Sequence, residues 1–149
     1  MEERPKYTRI LVPVDGSSES LCAVDLAGDI ALMMHAAVYL LYVSPFDKRT
    51  DMGDVRWLPK SIVQPAAEEA HEIFAAAEVL LPEGVACDRF HRSGVPAEVI
   101  LRFIDEMDIG LVIIGGRKHS RMSGIFLGSV TQTVLEHAHS SVLIAGSTK

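Results

Sequence analysis

The chain has 149 residues, 48% of them hydrophobic, and 20 acidic against 14 basic side chains give it a formal charge of −6. That length suits one domain with a sizeable core, and the lack of any low-complexity tract argues against disorder away from the ends. The acidic balance argues against a nucleic-acid-binding surface, and no apolar run approaches the roughly 18–20 residues of a membrane span.

The start, MEERPKYTR, is charged and leads straight into an apolar segment, unlike a secretory signal. Cys22 and Cys87 fall in a predicted helix and a predicted strand without metal-type spacing, so buried, reduced thiols of a cytoplasmic protein are expected. Residues 9–14 (RILVPV) are apolar and rich in β-branched side chains, and turn chemistry follows at once in Asp15, Gly16, Ser17 and Ser18. Near-continuous apolar character suggests a strand covered on both faces, as in a parallel sheet. Pro13 is tolerable there only near the C-terminal end. Ser17 or Ser18 can cap the next helix, Glu19 suits its first turn, and Leu21, Val24, Ala27, Ala31 and Met34 recur at helical spacing. Residues 37–43 (AVYLLYV) read as a second buried strand, ended by Ser44 and Pro45. Periodicity then vanishes over 46–60, a long polar stretch whose Trp57 is expected to pack onto the body.

A long helix fits 62–81, with Ala66, Ala70, Ile73, Phe74, Ala77 and Leu80 facing inward and Pro65 in its first turn. Residues 85–91 (VACDRFH) alternate as a half-buried strand. Pro96 opens a helix with Val99, Ile100, Phe103, Ile104 and Met107 on one face. A strand at 111–114, a glycine turn, a cationic loop, a helix from Ser129 to about His137 and a last strand at 142–145 complete the pattern. Five strands alternating with four helices call for one α/β domain over 1–149, with an open parallel sheet and helices on both faces. Ligands of such folds bind at the carboxyl ends of the strands, so Asp15, Val43 and Gly115 all fall on one functional edge.

The stretch 115–130 (GGRKHSRMSGIFLGSV) suits an anion. Backbone N–H groups at a helix N-terminus are unpaired, and glycine lets a phosphate approach them. Arg117, Lys118, His119 and Arg121 add positive charge to a protein that is acidic as a whole. The plainer alternative is a solvated charged loop.

Taken together, three segments resemble the universal stress protein family over nearly the whole chain. ILVPVDGSSES resembles its first strand and turn, SGVPAEVIL a later strand-to-helix turn, and LVIIGG with LGSVTQTVLEHAHSSVLI its closing segment. The resemblance implies strand order 3-2-1-4-5 and a homodimer through the last strand, 142–145. For one branch it also implies ATP, AMP or another adenine nucleotide bound at a spaced glycine motif. On this chain the motif falls on Gly115, Gly128 and Ser129, but Lys118 stands at its middle glycine, and Gly110 stands where an aspartate is frequent. Lys118 either prevents a turn of positive φ that would wrap a triphosphate, or supplies a compact charge to phosphate. A family variant with an Arg-Lys pair and a later glycine, here Gly124, matches the second reading. Carried over by position, Pro13 and Val14 line the base, Asp15 meets the adenine amino group or the ribose, and Val43 offers backbone groups. Gly115, Gly116 and Arg117 lie near ribose and phosphate, and Gly128, Ser129 and Val130 bind phosphate. Asp15 read without the family is a turn aspartate bonded to its own backbone.

No catalytic or metal-binding residue is expected. His137 and His139 do not share a helix face, Ser129 lacks a His–Asp accompaniment, and one carboxylate at Asp15 is weak support for Mg²⁺ held through a nucleotide. Any ATP hydrolysis should be slow or incidental. The functional expectation is a stress-response protein whose nucleotide occupancy changes its partner contacts, for instance through order in the 46–60 loop. The alternatives are a nucleotide-independent dimeric scaffold with 116–124 as a docking patch, and an enzyme of the wider adenine-nucleotide α-hydrolase-like group.

Overall fold

A computed structural model describes residues 7–44, 60–118, 125–126 and 128–147, without the side chains of 60–67, 117–118, 125–126 and 147. The expectations for 46–59, Trp57, His119, Arg121, Gly124 and the Lys118 side chain lie outside the described residues. In chain order the elements are β1 (Arg9–Pro13), α1 (Ser18–Met34), β2 (Ala37–Ser44), α2 (Lys60–Glu78), β3 (Cys87–Ser93) and α3 (Pro96–Glu106). β4 (Leu111–Lys118), β5 (Ile125–Phe126), α4 (Ser129–His137) and β6 (Ser141–Ser147) follow.

The five long strands are parallel, in the order β3-β2-β1-β4-β6, which is the expected 3-2-1-4-5. One element was not expected. The two-residue β5 runs back antiparallel to the end of β4, pairing Phe126 with Arg117 and Ile125 with Lys118. Arg117 also pairs with Ser147 of β6, so β5 takes the opposite edge of β4, on the side of β1.

Alternation along the strands builds two cores. Ile10, Val12, Val38, Leu40 and Ile113 pack beneath α1 and α2, against Val24, Ala27, Phe74 and Ala77. Leu11, Leu41, Val112 and Ile114 pack on the other face, with Ile100 and the fully buried Phe103 of α3 and Val134 of α4. Local signals set the helix ends. Ser17 caps α1 through its side chain, His35 ends it in a left-handed conformation, and Pro96 sits at the start of α3.

Some expectations are corrected. Met34 and Leu80 are exposed, because each lies at a helix end beyond the last turn that meets the sheet. Cys22 is exposed on α1, while Cys87 is half-buried, with its thiol pushed up to about 11 first by burial and then by the charges of Glu78 and Asp88. Gly115 and Gly116 form no turn, since β4 continues through them to Lys118.

The requirement for glycine at 115 is steric. A Cβ there would stand 2.5 Å from the carbonyl carbon of Glu19 and 2.9 Å from its Cβ, because the first turn of α1 lies directly on β4. Gly115→Ala is therefore expected to cost about 1–3 kcal/mol in urea unfolding, since backbone must move to admit the methyl group. Unchanged stability would contradict that contact.

Candidate functional site

β1 is the strand at which the sheet reverses its order, and it treats its two neighbours differently. With β2 it pairs from Arg9↔Ala37 to Pro13↔Leu41, and Val14 N–H extends the ladder to the Leu41 carbonyl at 2.9 Å. With β4 it pairs only at Ile10↔Leu111 and Leu11↔Val112. Beyond Leu11 the two strands part, and a cavity of about 410 Å³ opens at their carboxyl ends. This is where open α/β sheets place ligands.

Among the described residues, the strand ends supply Pro13, Val14, Leu41, Tyr42, Val43, Ile114 and Gly115 to its wall. The turn after β1 and the first turn of α1 supply Asp15, Ser17, Glu19 and Ser20. The other helices supply Glu69, Pro96, Ile100, Val130 and Thr131. Val43 contributes more than an apolar side chain. Leu41 turns its backbone carbonyl toward β1, so two residues later the N–H and C=O of Val43 face the same edge. β1 has ended there, so that edge borders the cavity.

The β1–α1 turn is held by its own polar groups. Asp15 Oδ1 accepts from the Ser17 N–H at 2.9 Å, Ser17 Oγ accepts from the Ser20 N–H at 3.2 Å, and Ser20 Oγ donates to the Ser17 carbonyl at 3.0 Å. Gly16 makes the bend with φ +85. The turn reading of Asp15 is thus realised, and the carboxylate still stands in the cavity wall.

The opposite end of the cavity is the start of α4. Gly128 is its N-cap, with no side-chain cap, and a Cβ at Gly128 would meet nothing within 4 Å. Packing alone gives no reason for glycine there. The helical ladder begins with Gln132 N–H to the Gly128 carbonyl at 3.0 Å, so the N–H groups of Ser129, Val130 and Thr131 precede it. With the helix dipole, they form a donor surface for negative charge. Thr131 Oγ1 donates to the Gly115 carbonyl at 3.3 Å and ties this helix start to β4.

On the α2 side, the wall holds the buried Tyr42 and the exposed Glu69. The Tyr42 phenol is raised above the ordinary value first by burial and then by the nearby negative charge of Glu69. Ser44 Oγ lies 2.5 Å from His91 Nε2, and the His91 ring stacks at 5.2 Å on Tyr42.

Six of the expected site residues line the cavity: Pro13, Val14, Asp15, Val43, Gly115 and Val130. Gly116, Arg117 and Lys118 do not appear in its described wall; they continue β4 past it, with Gly116 buried. Lys118 has extended backbone, so its position takes no turn of positive φ in this chain. Gly128 and Ser129 are also outside its described wall; they form the α4 start, next to Val130, which lines it. Sequence reasoning missed Tyr42, Glu69, Ile100 and Thr131. Glu69 carried a usable signal, since a carboxylate one turn before Ile73 interrupts the inward stripe of α2. Among the described residues no group of three His, Cys, Asp or Glu is placed to hold a metal, and no helix is long and apolar enough to cross a membrane.

Comparison with known proteins agrees with this architecture. The universal stress protein family model matches residues 6–146. A universal stress protein of Methanocaldococcus jannaschii is 31% identical over 146 residues, spanning 96% of this chain and 84% of that protein. The chain belongs to the universal stress protein family. Its fold matches a universal stress protein solved in complex with cAMP, at TM-score 0.66 and 23% identity over 95% of this chain and 98% of that one. It also matches the universal stress protein of Archaeoglobus fulgidus in complex with dAMP, at TM-score 0.65 and 20% identity over 93% and 98%.

Proposed function

We propose that the cavity binds an adenine nucleotide, and that the protein acts as a stress-response regulator whose contacts depend on occupancy. The observation that carries this reading is the crevice between β1 and β4, with the open backbone edge of Val43 at one end and the α4 start at the other. A purine lies between Leu41, Val43, Pro96 and Ile100, its edge meeting the Val43 backbone, with Asp15 beside it. The phosphates extend past Gly115 to Gly128, Ser129 and Val130. Structural neighbours solved with cAMP and dAMP support the nucleotide class. ATP is the triphosphate form of this ligand, and Arg117 and Lys118 lie in sequence where its charge would fall. Mg²⁺ would take most of its ligands from phosphate, beside Asp15.

Occupancy regulates only if the ligand binds two conformational states unequally. A self-complementary contact is the natural recipient of that difference. The two edges of the sheet are not alike. β3 carries Asp88, Arg89 and Arg92, with Arg89 paired to Glu78 at 2.6 and 2.5 Å and Arg92 to Glu106 at 2.9 Å. Such charges block edge-to-edge pairing. β6 (SVLIAGS) carries none and leaves Leu143 37% exposed. A second copy pairing along β6 makes a homodimer, and the scaffold alternative shares this feature.

Gly128→Ser tests the phosphate end without threatening the fold, because serine is a good N-cap and its Cβ enters open space. Stability should be unchanged or higher, while calorimetry should show ATP and AMP weakened about tenfold or more and adenosine little affected. Equal affinity of wild type and variant for ATP would contradict phosphate binding at α4. For the dimer, Leu143→Asp should give the monomer mass in light scattering, and a dimer of unchanged mass would exclude β6 as the interface.

A further inference from the structure

The outer face of α1 and α2 is covered by nothing in the fold, and its far end is apolar. Both helices run from the carboxyl edge of the sheet to the amino edge, where β2 and β3 begin. There Met33 is 73% exposed, Leu32 51%, Val79 80% and Leu80 36%. The two helix ends are neighbours. A Cβ on Gly28 would stand 2.6 Å from Pro82 Cδ and 3.3 Å from Leu81 Cδ2, and Leu32 follows Gly28 one turn on along the same stripe of α1. Single exposed apolar side chains are ordinary, but a group of large ones gathered at one end of a face marks a contact surface.

The rest of that face is acidic. Residues 18–35 and 61–84 contain no lysine or arginine. Asp25 and Asp29 lie on the exposed side of α1. Glu68 and Glu72 lie on that of α2, about 10–16 Å back along the helix from Val79. Glu78 is paired with Arg89 of β3, whereas these four carboxylates have no cationic partner among the described residues. Neither helix carries a basic residue in its last turn, so the partial negative charge of both C-termini falls on the apolar end with no lysine or arginine to offset it.

We propose that the outer face of α1 and α2 docks a basic amphipathic helix of a partner protein, whose apolar anchors cover Leu32, Met33, Val79 and Leu80 and whose lysines and arginines meet the carboxylates. Charge selects this occupant. Anionic lipid and nucleic acid are repelled by the acidic part of the face. A second copy would set carboxylates against carboxylates or against apolar surface, with no lysine or arginine on either face to meet them. A helix with apolar anchors at i, i+3, i+4 and i+7 and cations beside them satisfies both parts at once, and exposed methionine adapts readily to such anchors. The surface is separate from the cavity, and the claim holds with or without a nucleotide there.

Calorimetric titration with a synthetic leucine–lysine peptide, its leucines at helical spacing, tests the claim. One control peptide has the same composition with leucine and lysine strictly alternating, and another has glutamate in place of lysine. Wild type should bind the helical basic peptide about tenfold or more above either control. The double variant Leu32→Ser, Val79→Ser should weaken it about tenfold, and Glu68→Gln, Glu72→Gln about threefold at low salt, a loss that shrinks at about 0.5 M salt. All four positions are exposed, so both variants should keep the wild-type urea midpoint. Equal affinity for the alternating peptide, or no loss in the serine variant, overturns the proposal by reducing the face to diffuse charge. Equal affinity for the glutamate peptide overturns it by removing the charge. A drop in mass on light scattering of the serine variant would make a second copy the occupant, and phosphatidylcholine vesicles that bind wild type but not that variant would make it a lipid surface. Either result contradicts docking of a basic helix.

Discussion

The first turn of α1 rests on Gly115 so closely that no side chain fits between them, and the arrangement of the carboxyl edge depends on that contact. On the other face of the sheet, the Gly115 carbonyl accepts from Thr131 at the start of α4. One residue of β4 thus fixes two helix starts, one on each side. The β1–α1 turn, with Asp15 and Ser17, is carried by the first, and the donor surface of α4 by the second. Because β1 leaves β4 after only two paired residues, the space between these fixed points is left open. The cavity is a consequence of strands that part and helices that cannot shift.

The wall of that cavity is divided by chemistry in a way that suits a ligand with unlike ends. Leu41, Val43, Pro96 and Ile100 supply apolar surface, Asp15 and Glu69 supply carboxylates, and the α4 start supplies backbone donors. A nucleotide has the matching sequence of parts: a flat base with amino donors, a ribose, and anionic phosphate.

Much of the fold was legible because its signals are local. Continuous apolar runs at β1, β2 and β4 marked strands buried on both faces, and Ser17, Pro96 and the helical spacing of Val99, Ile100, Phe103 and Ile104 marked helices. The strand order came from the resemblance to the universal stress proteins, since alternation alone permits several orders. What could not be read was set by tertiary contact. Gly115 and Gly116 looked like a turn, because glycine after an apolar run usually marks one; here glycine admits the backbone of α1. Tyr42 and Glu69 are distant in sequence and belong to the site only because α2 lies over β2. Asp15 was open to two readings, and the structure satisfies the local one while leaving the carboxylate in the wall.

The most direct measurement of the central claim is an amide-detected NMR titration of the isotopically labelled protein with AMP. If the cavity is the nucleotide site, the amides of Asp15, Val43, Gly115, Val130 and Thr131 should shift together and saturably, while those of the exposed β3 edge stay still. Saturable shifts confined to β3, or none at millimolar ligand, would contradict it.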